Sequence, residues 1–232
     1  MNVLVVTDDG PKAYGFTILK EIVRQYFKDA SVTTMATAKP MSGQSLSVAT
    51  TDFDQIPFEK VNGTWEVQCK PADLIYLAFT RPELFVNNGA FSLVISGVNH
   101  GPNVGVDVVH SGTVGMAMLA AMFGATGIAF SQDMEDWKDA PPEGKEGFAN
   151  AGKLILQFLD STALRPAECW NVNFPKGAPK GWKTTPVAAH SRNRPWPSYI
   201  NKFVDGTDIQ ELERGYATVS ALQLRVEPPL RY

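Results

Sequence analysis

Apolar residues recur along this chain in two rhythms, one suited to buried strands and one to helices. "VLVV" (residues 3–6) is an unbroken run of Leu and β-branched residues, the mark of a strand covered on both faces in a parallel sheet. Phe16, Leu19, Ile22, Val23, Tyr26 and Phe27 then recur at helical spacing and predict an amphipathic helix over residues 15–28. "SVTTMAT" (31–37) follows as a second strand, so the chain opens with a βαβ unit and its right-handed crossover.

The same alternation of elements continues. "GTWEVQC" (63–69) alternates like a half-exposed strand, and Pro71 suits the first turn of a helix holding "ADLIYLAF". "FSLVISGVN" (91–99) carries a second buried strand at residues 93–95. Val114, Met118, Leu119, Met122 and Phe123 mark a helix whose amino end is Ser111, Gly112 and Thr113. "TGIAFS" (126–131) and "CWNVNFP" (169–175) read as further core strands, separated by a polar, Pro-rich loop (132–145) and a helix carrying Leu154, Ile155, Phe158 and Leu159. From 176 to 208 the composition shifts to Pro, Gly, Lys and Arg, which predicts an excursion from the core. "DIQELERG" and "YATVSALQLRV" then return as a short helix and a last strand. The expected fold is α/β, a Rossmann-like doubly wound, mostly parallel sheet with a projecting C-terminal arm or hairpin. Residues 1–175 form the core, 176–208 the arm, and 209–232 return to the same single domain.

Composition narrows the classes of function. A chain of 232 residues that is 44% hydrophobic and 19% charged suits one large α/β domain. The net charge of -3, without long runs of either sign, predicts no binding of DNA or RNA duplexes and no electrostatic grip on membranes. Cys69 and Cys169 lack the spacing of a zinc or redox site, so reduced thiols are expected. The apolar run before Asp8 is too short for a signal-peptide core, and no stretch has membrane-spanning length, so a cytoplasmic location is expected.

The candidate chemistry lies at strand ends, where open α/β sheets bind their ligands. Asp8 and Asp9 follow the first strand directly, and adjacent carboxylates at such a place need solvent or a cation. Ser42 and Gly43 follow the second strand, while Asn99 and Asn103 follow the strand at 93–95. Two carboxylates, a hydroxyl and an amide oxygen form a hard donor set suited to Mg²⁺ or Mn²⁺. "HSGTVGMAM" adds a helix amino terminus whose N–H groups, with Ser111, Gly112 and Thr113, form an anion cradle. A cation cluster and an anion cradle on one edge point to a phosphate ester. His100, His110 and His190 show no metal-ligand spacing; His100 is a candidate proton donor to a leaving oxygen without being assigned that role.

These motifs resemble the SurE (survival protein E) nucleotidases. "VTDDGPKAYG", "SGQSLS" and "ISGVNHGPNVGVDVVHSGTVGMAM" are similar to that family's acidic opening, its Ser-Gly loop and its long Ser-Gly-Asn block. Weaker likenesses, in "PADLIYLAF", "WNVNFP" and "GTDIQELERGYATVSALQL", extend the similarity along nearly the whole chain. The resemblance implies a phosphomonoesterase using one divalent ion per subunit, acting on nucleoside 5′- or 3′-monophosphates, and a homodimer or homotetramer assembled through the arm. It further implies Asp8, Asp9, Ser42 and Asn99 as metal ligands, with Asn103, Ser111, Gly112 and Thr113 on the phosphate. Asp8 and Asp9 are the catalytic candidates, Asp9 first as acceptor of the proton from an attacking water. Two stretches depart from the family pattern: "TAKPM" before Ser42 lacks the charges common there, and "SRNRPWPSY" differs in the arm.

Four other readings compete. An exopolyphosphatase would use the same site, whereas a nonenzymatic nucleotide-binding module would keep the cradle without turnover. A dehalogenase-type phosphatase needs Asp-x-Asp, and here the acids are adjacent. A receiver-type signalling domain shares an acidic first strand end but is about half this length.

Overall fold

The computed structural model describes residues 1–49, 55–134, 148–192 and 205–223. Its first half comprises β1 (Asn2–Thr7), α1 (Tyr14–Tyr26), β2 (Ser31–Thr37), β3 (Phe58–Val61), β4 (Thr64–Val67), α2 (Pro71–Thr80) and β5 (Leu93–His100). A 3₁₀ turn (Gly105–His110) leads into α3 (Gly112–Met122), β6 (Thr126–Gln132), α4 (Ala151–Ser161), β7 (Cys169–Phe174), β8 (Trp182–Thr184), α5 (Asp208–Glu213) and β9 (Ala217–Leu222).

The strands form one 9-stranded sheet in the order β3-β4-β2-β1-β5-β6-β7-β9-β8. From β4 to β7 the neighbours run parallel, while β3 and β9 are antiparallel to β4 and β7. The chain winds outward from β1 through β2 to β4, then restarts beside β1 with β5 and winds the other way. That reversal opens a crevice beyond the carboxyl ends of β1 and β5, where α/β sheets bind ligands.

Both faces of the sheet are covered, which explains the unbroken apolar run in β1. Val3 and Val5 pack with Phe16, Leu19 and Val23 of α1 and with Leu154, Ile155 and Phe158 of α4. Leu4 and Val6 face the opposite way, onto Leu74 and Ile75 of α2 and Met116 and Leu119 of α3. At about 25 cal/mol per Å² of apolar area removed from water, these two layers supply the main drive to fold.

The sequence pattern missed β3 and β8. The β3–β4 hairpin turns at Asn62 and Gly63, both with positive φ (49° and 80°), the geometry for which Asn-Gly is the preferred dipeptide. β8 pairs with β9 at the sheet edge, and Thr185, Ala188, His190 and Ser191 are buried, so this beginning of the expected arm packs on the core. The rest of the arm (193–204), most of the expected 132–145 loop and the last residues of the expected final strand lie outside the described residues. Cys69 and Cys169 are buried free thiols, and burial raises both, Cys169 to about 12. No described helix is long and apolar enough to cross a membrane.

Candidate active site

β5 runs beyond its apolar part to His100 because its ladder with β6 shifts register between Ser96 and Asn99. Gly97 sits in this irregularity at φ +115°, a conformation open to glycine and against the Phe130 carbonyl, where a side chain has no room. The shift carries Asn99 to the end of β5, beside the end of β1. The Asn99 amide group donates to the Gly101 carbonyl at 2.7 Å, which turns its Oδ1 the other way, toward Thr113.

Thr113 joins the two strand ends. Its hydroxyl lies 2.7 Å from Asp8 Oδ1 and 3.1 Å from Asn99 Oδ1, so a single proton is shared between two oxygen acceptors. Gly112 brings the amino end of α3 against Asp8: a Cβ there would collide with Asp8 Oδ2 and with Pro71. The positive end of the helix dipole therefore abuts the Asp8 carboxylate. Asp9 turns back on the strand ends, its Oδ2 accepting from the His100 N–H at 3.1 Å while its own N–H donates to the Thr7 hydroxyl at 3.1 Å.

Asp8 is 2% and Asp9 5% exposed. Burial raises the Asp8 carboxyl to about 6, against an opposing hydrogen bond from Thr113. It raises that of Asp9 to about 8, and repulsion by the Asp8 charge adds to the rise. Two buried acids that resist ionising together are what a cation would relieve. Among the described residues no group of three or more His, Cys, Asp or Glu side chains could hold a metal. Beside the two carboxylates the oxygen donors are Asn99 Oδ1, joined to Asp8 through Thr113, and the Ser42 hydroxyl, which lines the same cavity as Asp8 and Asn99. Such an oxygen set suits a hard divalent ion.

A cavity of ≈ 290 Å³ opens here, and Asp8, Ser42, Asn99, Asn103, Ser111 and Gly112 are among its walls. Asp9 is not among them; it backs the cavity through its bond to His100. Ser111 caps α3, its Oγ accepting from the Val114 N–H at 3.1 Å, so the hydroxyl keeps its proton for another acceptor. The N–H groups of Gly112 and Thr113, in the first turn of the helix, remain for an anion. Thr113, expected on the phosphate, presents its hydroxyl to Asp8 and Asn99, which leaves its backbone N–H for an anion.

Asn103 is held from behind. Its N–H donates to Asn173 Oδ1 at 2.8 Å, and its carbonyl accepts from Asn171 Nδ2 at 2.8 Å and Asn173 Nδ2 at 3.0 Å. Its own amide group donates to the Ser131 hydroxyl at 2.8 Å. Asn171 and Asn173 are residues that sequence reasoning passed over. The available signal was the alternation in "CWNVNF", which puts two amides on one face of a buried strand.

The family described as Survival protein SurE matches residues 3–195. The chain belongs to the SurE family. A relative from Campylobacter jejuni subsp. doylei, named 5'-nucleotidase SurE, is 33% identical over 96% of this chain and 92% of its own. One of the same name from Acinetobacter baumannii (strain SDF) is 31% identical over 87% of this chain and 76% of its own. The crystal structure of the SurE protein from Aquifex aeolicus superposes with a TM-score of 0.76 at 25% identity, covering 98% of this chain and 95% of that one. An α/β fold with a mostly parallel sheet and an enzymatic role are thus shared with the SurE family, and the acidic strand end and α3 cradle lie inside the matched span.

Proposed function

We propose that this SurE-family enzyme is a divalent-cation-dependent nucleotidase that hydrolyses nucleoside monophosphates, the 5′ esters first, as the names of its relatives suggest. The observation that carries this reading is the meeting of buried Asp8, the Asn99 amide oxygen and the amino end of α3 at one cavity, with the second buried acid, Asp9, directly behind it. Asp8, Asp9, Asn99 and Ser42 are the residues that would hold Mg²⁺ or Mn²⁺. When bound, the ion supplies positive charge that polarises the phosphoryl group and acidifies water.

The chain's own groups account for the remaining work. The phosphoryl oxygens sit at the N–H groups of Gly112 and Thr113 and the Ser111 hydroxyl, donors fixed in place before reaction. Asp9 takes the proton of the attacking water, because a cation held beside the pair keeps its carboxylate ionised and able to accept. Thr113 keeps Asp8 and Asn99 in register, and the Asn171–Asn173 pair keeps the Asn103 loop against the substrate.

Phosphate release from 5′- and 3′-nucleoside monophosphates, with each ion and then with chelator, tests the proposal. Activity is expected with Mg²⁺ or Mn²⁺ and is expected to vanish on chelation. Asp9→Asn, which keeps the side-chain volume, should lower kcat by at least about 100-fold. Near-normal turnover by that variant would remove Asp9 from the reaction.

A further inference from the structure

A second cavity, of ≈ 400 Å³, lies at the carboxyl ends of β2 and β4, with Ala38, Lys39, Met41, Ala49, Val67 and Gln68 among its walls. It adjoins the phosphate site through consecutive residues, for Met41 lines this cavity and Ser42 the other. The shared wall is fixed to the catalytic strand end: the Asp8 carbonyl accepts from the Met41 N–H at 2.8 Å and from the Thr37 hydroxyl at 3.2 Å. Its far side is fixed too. The Asp73 carboxylate accepts from the Ala49 N–H at 3.0 Å and the Lys70 N–H at 2.9 Å, and the Lys70 ammonium meets the Gln44 side-chain oxygen. The loop over the cavity is thereby anchored at both ends.

The lining has two kinds of surface. Ala38, Met41, Ala49 and Val67 are apolar, and a thioether packs well on an aromatic ring. Gln68, Lys39 and Lys70 supply an amide and two ammonium groups, which are mainly donors. A chain of phosphates would lose hydration against the apolar wall without full compensation, whereas a flat, uncharged ring with acceptors on one edge matches both surfaces. The volume is of the order found in small-ligand sites.

We propose that this cavity receives the heterocyclic base of the substrate whose phosphate lies at Asp8, an inference that rests on the nucleotidase reading. Met41 packs on the face of the ring, and Gln68 with Lys39 reads its edge. Because lysine only donates, guanine, with its O6 and N7 acceptors, is favoured over adenine, whose N6 amine is a donor.

Ala49→Trp tests the assignment, because Ala49 is exposed and contributes its backbone N–H to the fold. An indole there fills the cavity. The ratio of kcat/KM for guanosine 5′-monophosphate to that for ribose 5-phosphate is expected to fall about tenfold, and Met41→Ala should lower it in the same sense. An unchanged ratio in both variants, or wild-type preference for adenosine 5′-monophosphate over its guanine counterpart, overturns the proposal. Saturation-transfer NMR with unphosphorylated guanosine reads binding without turnover. Transfer to the ring proton in the wild type and its loss in Ala49→Trp support the cavity assignment even if no phosphate were released, which would defeat the nucleotidase reading alone. Equal transfer to both proteins overturns it.

Discussion

At the scale of single residues, the Asp8–Asp9 pair ties function to stability. Both carboxyls are raised, to about 6 and about 8, first by burial and, for Asp9, by the neighbouring charge. A group whose folded pKa exceeds its unfolded value binds its proton more tightly in the folded state. The ion-free protein therefore keeps this contribution below about pH 4, near the unfolded carboxylate pKa, and loses it as pH rises through 6 and then 8. A tenfold difference in proton affinity between the folded and unfolded chain is worth about 1.4 kcal/mol, and a chain of this size changes Tm by roughly 2–4 °C per kcal/mol. Thermal melts in chelator should thus fall by at least about 3 °C between pH 5 and 8.5, and Asp9→Asn should flatten the decline. Added Mg²⁺ or Mn²⁺ should raise Tm most at the alkaline end, since a cation favours the ionised pair. A pH-independent melt of the ion-free protein would contradict the buried pair. The acids themselves were legible, because an acidic pair directly after a buried strand is chemically costly. The role of Thr113 was not: a first-turn hydroxyl can face an anion or a neighbouring carboxylate, and only the tertiary distance of 2.7 Å to Asp8 decides between them.

At the scale of elements, α3 meets β1 and β5 through a contact that only glycine permits. Gly112 is the first residue of α3, and replacing a helical glycine by alanine ordinarily favours the helix by about 1 kcal/mol. Here a Cβ would run into Asp8 Oδ2 and Pro71, so the helix end must retreat from the acid. Gly112→Ala is expected to weaken Mg²⁺ or Mn²⁺ binding and to lower kcat/KM by roughly 100-fold, since small misplacement of a catalytic group is costly. Calorimetric titration of the ion and steady-state kinetics check this, and wild-type values in both would show that the close approach is dispensable. α1 was legible because its apolar period spans several turns, whereas β1 and α3, buried nearly all round, were legible as apolar runs, α3 after its Ser-Gly-Thr start. The four-residue β3 and three-residue β8 were not, because so few positions establish no period. Asn62-Gly63 was nevertheless a usable hairpin signal, and it marks the turn into β4.

At the scale of the whole molecule, the sheet order places β1 and β5 side by side, and the C-terminal return then braces the loop that leaves β5. Asp208 opens α5 and is fully buried. It accepts from the N–H groups of Gly105 at 2.9 Å, Ala188 at 2.8 Å and Ile209 at 2.9 Å, and the His190 carbonyl adds a bond from the Val106 N–H at 3.0 Å. Burial raises this carboxyl, while the three N–H bonds and His190 oppose the rise. Residues far apart in sequence thus converge two positions beyond Asn103, a link that no local pattern could reveal because it exists only once β7 and β9 have paired. Asp208→Ala leaves three buried donors without their acceptor, each costing about 1–3 kcal/mol, so urea unfolding should show a loss of roughly 3 kcal/mol or more. The loop carrying Asn103 should loosen with it, raising the inhibition constant of inorganic phosphate several-fold. Asp208→Asn, which retains one carbonyl oxygen, should recover part of both effects. Parallel recovery of stability and phosphate affinity is the outcome expected if the brace acts through the loop; recovery of stability alone would confine Asp208 to holding α5 in place.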